Sequence, residues 1–180
     1  MRKKVLIAVA DGSEEMETVI PADVLRRAGA EVTLASVDEL EIQAARGIKL
    51  VADKLLSACE NENFDLIVVP GGMPGAEHLR DSVVLKNMLQ KQAAAGKLIA
   101  AICAAPVVVL QHHGLLDGKK ATCHPAMLSE LKNSSKERVV VSENIITSQG
   151  PGTATEFALK LVELLFDAAT KQKVAAGMVV

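Results

Sequence analysis

The run Leu98–Ile102, five apolar residues that stop at Cys103-Ala104-Ala105-Pro106, narrows the possible folds more than any other stretch. A segment apolar at every position fits a strand buried on both faces of a parallel sheet. Two small residues let the backbone turn sharply, and a proline in the first helical turn gives up no hydrogen bond it would have made. Strand, cysteine, tight turn and helix together place the thiol of Cys103 at a helix N-terminus. Unpaired N–H groups and the helix dipole favour a thiolate there. The spacing leaves two roles open, a nucleophile or a small buried hydrophobe.

Other apolar runs repeat the theme. Val5–Ala10, Glu31–Val37 and Asp65–Val69 read as strands, and Ile48 and Leu50 suggest a further one after an Arg46-Gly47 turn. Between them lie helical patterns. Asp11-Gly12-Ser13 opens a helix with Glu14, Glu15 and Glu17 in its first turns, where the dipole favours acids. Arg26-Arg27-Ala28-Gly29 closes it, and Pro21 inside it predicts a kink or a start in two pieces. Glu77–Ala95 reads as one or two helices broken near Asp81-Ser82. The elbow helix is expected over Ala104–His112, a short strand over Gly118–Cys123, and a small helix after His124-Pro125. Val139–Val141 with Ile145–Thr147 reads as a hairpin, and Thr153 with Glu156 as a capping box opening a helix to Leu165. The tail from Lys171 is helix-compatible, able to dock on the body or on a partner subunit.

Strands alternating with helices predict an α/β fold, doubly wound, as one domain over residues 1–180. Ligands in such sheets bind beyond the carboxyl ends of the strands. The loops Asp11–Glu17, Pro70–Gly75 and Cys103–Pro106 converge there, which favours Cys103 as a nucleophile.

Composition removes several classes of function. Net charge is −2, with no basic cluster longer than Arg2-Lys3-Lys4, so nucleic-acid binding has no electrostatic support. No apolar segment approaches the roughly 20 residues that span a bilayer, and no signal peptide is evident. Three widely spaced cysteines argue for a reducing, cytoplasmic setting rather than a disulfide framework. With three Phe and no Trp or Tyr, stacking of a flavin or a base lacks its usual residues. Neither Gly71-Gly72-Met73-Pro74-Gly75 nor Gly150-Pro151-Gly152 fits a dinucleotide or phosphate-loop pattern.

Five motifs in matching order, Glu14–Pro21 (EEMETVIP), Pro70-Gly71-Gly72, Ala101–Pro106 (AICAAP), His124-Pro125 and Gly150–Thr153 (GPGT), resemble the ThiJ/PfpI superfamily. They are most similar to its Parkinson-disease-associated branch, the DJ-one family, over essentially the whole chain. The resemblance implies a flavodoxin-like three-layer sandwich around a mostly parallel sheet, a homodimer, and a cysteine prone to oxidation to sulfinate. It implies a cofactor-independent glyoxalase that turns methylglyoxal into lactate, a deglycase acting on glycated proteins, and protection against oxidative stress with chaperone activity. No cofactor and no metal are implied.

Carried over position by position, Cys103 matches the nucleophile and Glu17 the carboxylate beside it. A carboxylate close to a thiolate, both away from water, resists double ionisation, so Glu17 is expected to stay protonated and donate to sulfur. Read without the resemblance, Glu17 is equally a first-turn acid, as Glu14 and Glu15 are taken to be. His124 matches the family's histidine, able to relay a proton or polarise a carbonyl; as residues alone it is also a turn histidine before Pro125. Gly72 and Ala104 carry over as backbone donors of an oxyanion hole. Cys123 stands where the branch has a non-thiol and is read as incidental, and Cys59 as a peripheral loop thiol. His112 and His113 read as helix-end caps, and His78 has no evident partner. Competing readings are a redox-sensing, chaperone-like protein regulated at Cys103 and a hydrolase or peptidase of the wider superfamily.

Overall fold

The structure, a computed structural model, describes residues 2–180. Its strands are β1 (Lys4–Val9), β2 (Glu31–Ser36), β3 (Glu41–Gln43), β4 (Lys49–Val51), β5 (Lys54–Leu55), β6 (Leu66–Val69), β7 (Leu98–Ile102), β8 (Val139–Ser142) and β9 (Ile145–Ser148). The helices are α1 (Glu15–Arg27), α2 (Gly75–Asp81), α3 (Val83–Ala94), α4 (Ala154–Leu165) and α5 (Ala168–Gly177). Seven strands form one sheet in the order β5-β2-β1-β6-β7-β9-β8. All its pairings are parallel except β8 with β9, the expected hairpin at one edge. β3 and β4 make a separate antiparallel ribbon.

Alternation along β7 shows why the fold has three layers. Ile99 and Ala101 face a cluster that holds Leu79, Leu85, Leu89 and Val109, supplied by α2, α3 and the elbow helix. Ala100 and Ile102 face Val24, Leu25, Phe157, Leu161 and Val174, supplied by α1, α4 and α5. A strand covered on both faces must be apolar throughout, so the unbroken run in the sequence is a direct record of the sandwich. Phe157 is fully buried at the centre of the second layer, where truncation to Ala costs about 3–5 kcal/mol. The fold is the expected flavodoxin-like α/β sandwich.

Several local expectations change. α1 runs without a break through Pro21. The N–H that Pro21 lacks would have paired with the Glu17 carbonyl, so one intrahelical bond is lost, and burial of the proline against the body outweighs it. Gly118–Cys123 is not a strand: Ala121 bridges Ser134 alone, and the Thr122 N–H donates to Thr147 Oγ1 at 2.9 Å. That side chain takes the donor a ladder would have used. The elbow helix winds in wide π-type turns over Pro106–Gln111. Thr153 makes no cap with Glu156; its hydroxyl turns back to Gly150 and Ser148, while Glu156 accepts from Arg138 at 2.7 Å. The tail helix α5 docks on the body through Val174. No described helix is long and apolar enough to cross a membrane.

Candidate active site

Chain order reverses between β1 and β6: the chain leaves β1 toward β2 and β5, then returns to β6 on the other side. Loops at the carboxyl ends of β1, β6 and β7 therefore meet over a crevice. The Glu14 N–H donates to the Gly71 carbonyl at 3.0 Å, tying the first loop to the second. Gly72, at φ 86°, is packed so closely that a β-carbon would lie 2.4 Å from the Gly12 carbonyl oxygen and 2.5 Å from Glu14 N. Only glycine combines that backbone conformation with that approach.

Cys103 sits in the left-handed region, φ 65°, which costs a side-chain-bearing residue about 1–3 kcal/mol. Two backbone bonds hold it there. Its N–H donates to the Ser148 carbonyl at 3.0 Å, and its carbonyl accepts the His124 N–H at 2.8 Å. His124 is thus brought beside the cysteine by its main chain, and its exposed ring stays free of that duty. His124 Nδ1 accepts the Ala126 N–H at 3.3 Å, so the neutral ring carries its proton on Nε2. The N–H groups of Gly72 and Ala104 both donate toward the Cys103 sulfur.

Glu17 is fully buried in the first turn of α1, beside the cysteine. Its Oε2 accepts the Gly71 N–H at 2.8 Å, whereas Oε1 receives no hydrogen bond from any described residue. Burial lifts its carboxyl from 4.5 to about 7, against the pull of the Gly71 N–H and the Cys103 thiol, and the nearby Glu14 charge adds to the rise. The thiol is pushed up to about 12, first by burial and then by the Glu17 charge, with the two backbone N–H groups opposing. The pair releases its protons in steps that belong to both groups, so from about pH 7 upward it holds a single proton. The two values keep that proton on the sulfur at rest; its transfer to Glu17 removes the carboxylate charge and leaves a thiolate facing the two amides.

The structure brings together all five expected positions: Cys103, Glu17, His124, Gly72 and Ala104. Cys103, Ala104, His124 and Gly72 line one open pocket of about 400 Å³, joined by Glu14, Arg46, Met73 and Pro151. Glu14 and Glu15 are buried and do more than charge a helix start. Glu14 faces the pocket, and the Glu15 carboxylate accepts the Arg46 N–H at 2.9 and 3.2 Å. Gly71, whose N–H holds Glu17, was legible only as part of the Pro-Gly-Gly turn. Cys59 is a core residue, not a peripheral thiol; Cys123 is buried as well, and burial pushes its thiol up to about 11. His78 has a partner, the Asp11 carbonyl at 2.9 Å from Nδ1. His113 Nε2 reaches the Arg80 carbonyl at 3.0 Å, a tertiary contact and not a cap. Among the described residues no cluster of three His, Cys, Asp or Glu could hold a metal ion.

The family model described as DJ-1/PfpI matches residues 3–164, the region that builds both layers and the elbow. The chain belongs to the DJ-1/PfpI family. Relatives agree. It is 52% identical to protein DJ-1 homolog B of Arabidopsis thaliana over 166 residues, covering 91% of this chain and 38% of the plant protein, so the chain spans well under half of that relative. It is 37% identical to a Caenorhabditis elegans member named glutathione-independent glyoxalase DJR-1.2, covering 91% of this chain and 89% of the worm protein. The solved structure of oxidized Toxoplasma gondii DJ-1 superposes with a TM-score of 0.97 at 52% identity, covering 98% of each chain. The DJ-1/PfpI match thus covers the strands and loops that carry Cys103.

Proposed function

We propose that this protein is a cofactor-independent glyoxalase that turns small 2-oxoaldehydes such as methylglyoxal into hydroxyacids, with Cys103 as nucleophile. The observation that carries this reading is the fully buried Glu17 carboxyl beside the Cys103 thiol, raised to about 7. A group poised near neutrality can both give and take a proton. The worm relative's name supports the reaction class.

The chemistry is redox-neutral within the substrate. Cys103 sulfur attacks the aldehyde carbon, and the new oxyanion meets the N–H groups of Gly72 and Ala104 before taking the Glu17 proton. The Glu17 carboxylate then removes the C1 proton. The C1–H electron pair moves into the C1–C2 bond, His124 protonating the C2 oxygen, and Glu17 returns its proton to C2 as the C1 hydroxyl proton leaves to His124. C1 is oxidised to a thioester while C2 is reduced to an alcohol. Water hydrolyses the thioester, releasing lactate and restoring the thiol. The same attack on a carbonyl adduct carried by a protein amine would give deglycase activity, in defence against carbonyl and oxidative stress.

Lactate formed from methylglyoxal without glutathione tests the reading. Turnover by the wild type that disappears in Cys103→Ala is expected, and wild-type-level turnover by that variant overturns it.

A second reading has an observation of its own: the solved Toxoplasma relative is described as oxidized. Cys103 is only partly buried here, and a sulfinate on it would meet the Gly72 and Ala104 amides and a protonated Glu17. Mass spectrometry of peroxide-treated protein with negligible aldehyde turnover would favour this redox-sensing, chaperone-like role. For either role we infer a cytoplasmic homodimer. The dimer is supported by an apolar strip left exposed on α1 and β4, with Met16 at 48%, Val19 at 46% and Val51 at 68% accessible; sedimentation of the protein as a monomer at micromolar concentration would count against it.

A further inference from the structure

Three acids stand at the start of α1, and the fold buries all of them. Two have backbone donors: Glu15 accepts the Arg46 N–H and Glu17 the Gly71 N–H. Glu14 is tied to the fold by its main chain alone, its N–H to the Gly71 carbonyl and its carbonyl to the Thr18 N–H and hydroxyl. Its side chain does not cap the helix, and no described residue donates to its carboxylate, although Glu14 is only 7% exposed. A carboxylate so far removed from water is costly unless donors reach it. The space beside it is the pocket that it shares with Cys103, Gly72 and His124.

That pocket also holds a cation. Arg46 lines it with an exposed guanidinium that joins no described ion pair, and His124 adds its Nε2–H. A positively charged substrate would confront Arg46, and a negatively charged one Glu14. A hydroxyl suits both, since it donates to a carboxylate and accepts from a guanidinium or an imidazole. Room is available: at about 400 Å³ the pocket falls in the range that takes drug-sized ligands, well beyond what methylglyoxal fills.

We propose that Glu14 selects the substrate, and that the class it selects is 2-oxoaldehydes with hydroxyl groups beyond the keto carbon, the kind of carbonyl that sugars give on dehydration. The proposal rests on the glyoxalase reading and deepens it. The chemistry is unchanged: C1 is oxidised, C2 is reduced and one water is consumed, so 4-hydroxy-2-oxobutanal yields 2,4-dihydroxybutanoate. Glu14 accepts the distal hydroxyl. A chain that ends in a methyl group leaves the buried carboxylate unpaired, which is how a polar site rejects an apolar analogue.

The test compares kcat/KM for 4-hydroxy-2-oxobutanal with that for its isostere 2-oxopentanal, in which a methyl replaces the hydroxyl. Wild type is expected to favour the hydroxylated aldehyde, and in Glu14→Leu the ratio of the two should fall on the order of 10-fold to 100-fold. The Glu14 charge also acts on Glu17, but that effect is common to both substrates and cancels from the ratio. An unchanged ratio overturns the proposal. Should Glu14→Leu fail to fold, Glu14→Gln decides in its place: it keeps an acceptor but not the charge, so a several-fold fall is expected and an unchanged ratio overturns the proposal. Should the wild type turn over neither aldehyde, the glyoxalase reading fails, while selection is still read from how well each aldehyde, adding reversibly to Cys103, protects it from alkylation. Better protection by the hydroxylated aldehyde that Glu14→Leu abolishes is expected, and equal protection of the wild type by the two overturns the role of Glu14.

Discussion

Glu17 and Cys103 approach each other across Gly71, where a β-carbon would fall 2.9 Å from Glu17 Oε2 and 2.6 Å from Cys103 Cβ. The glycine is what lets a helix-borne acid and a strand-end thiol share a proton, and its N–H fixes the acid from the side. Gly71→Ala is expected to cost about 1–3 kcal/mol by overpacking. A shift of the pair by about 1 Å lowers turnover on the order of 100-fold. Urea unfolding and steady-state kinetics of this one variant check both.

The buried acid also makes stability depend on pH. Its folded value, about 7, lies above the ordinary 4.5, so the folded state holds a proton that the unfolded chain releases. Its contribution is fully present below about pH 4.5 and is lost as pH rises through about 7. Across that window the loss reaches about 3 kcal/mol. Glu17→Gln keeps an acceptor for Gly71 and cannot ionise. The variant is expected to gain on wild type by up to that amount between pH 4.5 and pH 8. Urea unfolding at the two pH values, compared as a difference of differences, isolates Glu17 from the other carboxylates.

Strain at Cys103 can be separated from its chemistry. In a regular strand glycine is less stable than alanine by about 0.5–1 kcal/mol. At φ 65° the order should reverse, with Cys103→Gly more stable than Cys103→Ala by about 1 kcal/mol, although both lack a nucleophile. Equal stabilities would show that the elbow holds no strain.

His124 serves the elbow through its main chain and the reaction through its ring. His124→Asn is therefore expected to leave unfolding within about 0.5 kcal/mol of wild type, as an exposed substitution does. Turnover should fall on the order of 100-fold, the lower end of what a positioned acid–base group supplies. Parallel unfolding and kinetic measurements separate the two.

How much of this was readable from the chain depends on how local each cause is. The strands were plain because burial on both faces demands unbroken apolar runs, as in Leu98–Ile102. The position of Cys103 on a strand-to-helix turn was plain because that turn is written in the next three residues, while its spacing left nucleophile and buried hydrophobe both open. Glu17 was legible as a site acid only through the family resemblance. Nothing local separates it from Glu14 and Glu15, and its burial is decided by loops that arrive more than fifty residues later. The role of Gly71 depends on that same contact. Gly118–Cys123 misled because its alternation suits a strand, while a threonine hydroxyl from β9 claims its donor. Cys59 and His78 were misplaced because the core that buries the one and the carbonyl that meets the other come from residues distant in sequence, which leave no local mark.

The central claim is that Glu17 moves the proton while Cys103 makes the bond. Glu17→Gln tests it most directly, with methylglyoxal turnover measured beside the rate of Cys103 alkylation. An amide can still donate to sulfur but cannot carry a proton between substrate carbons, so alkylation is expected to persist while lactate formation falls at least 100-fold, within the range typical of general acid–base groups. Lactate formation by Glu17→Gln at the wild-type rate would contradict the claim.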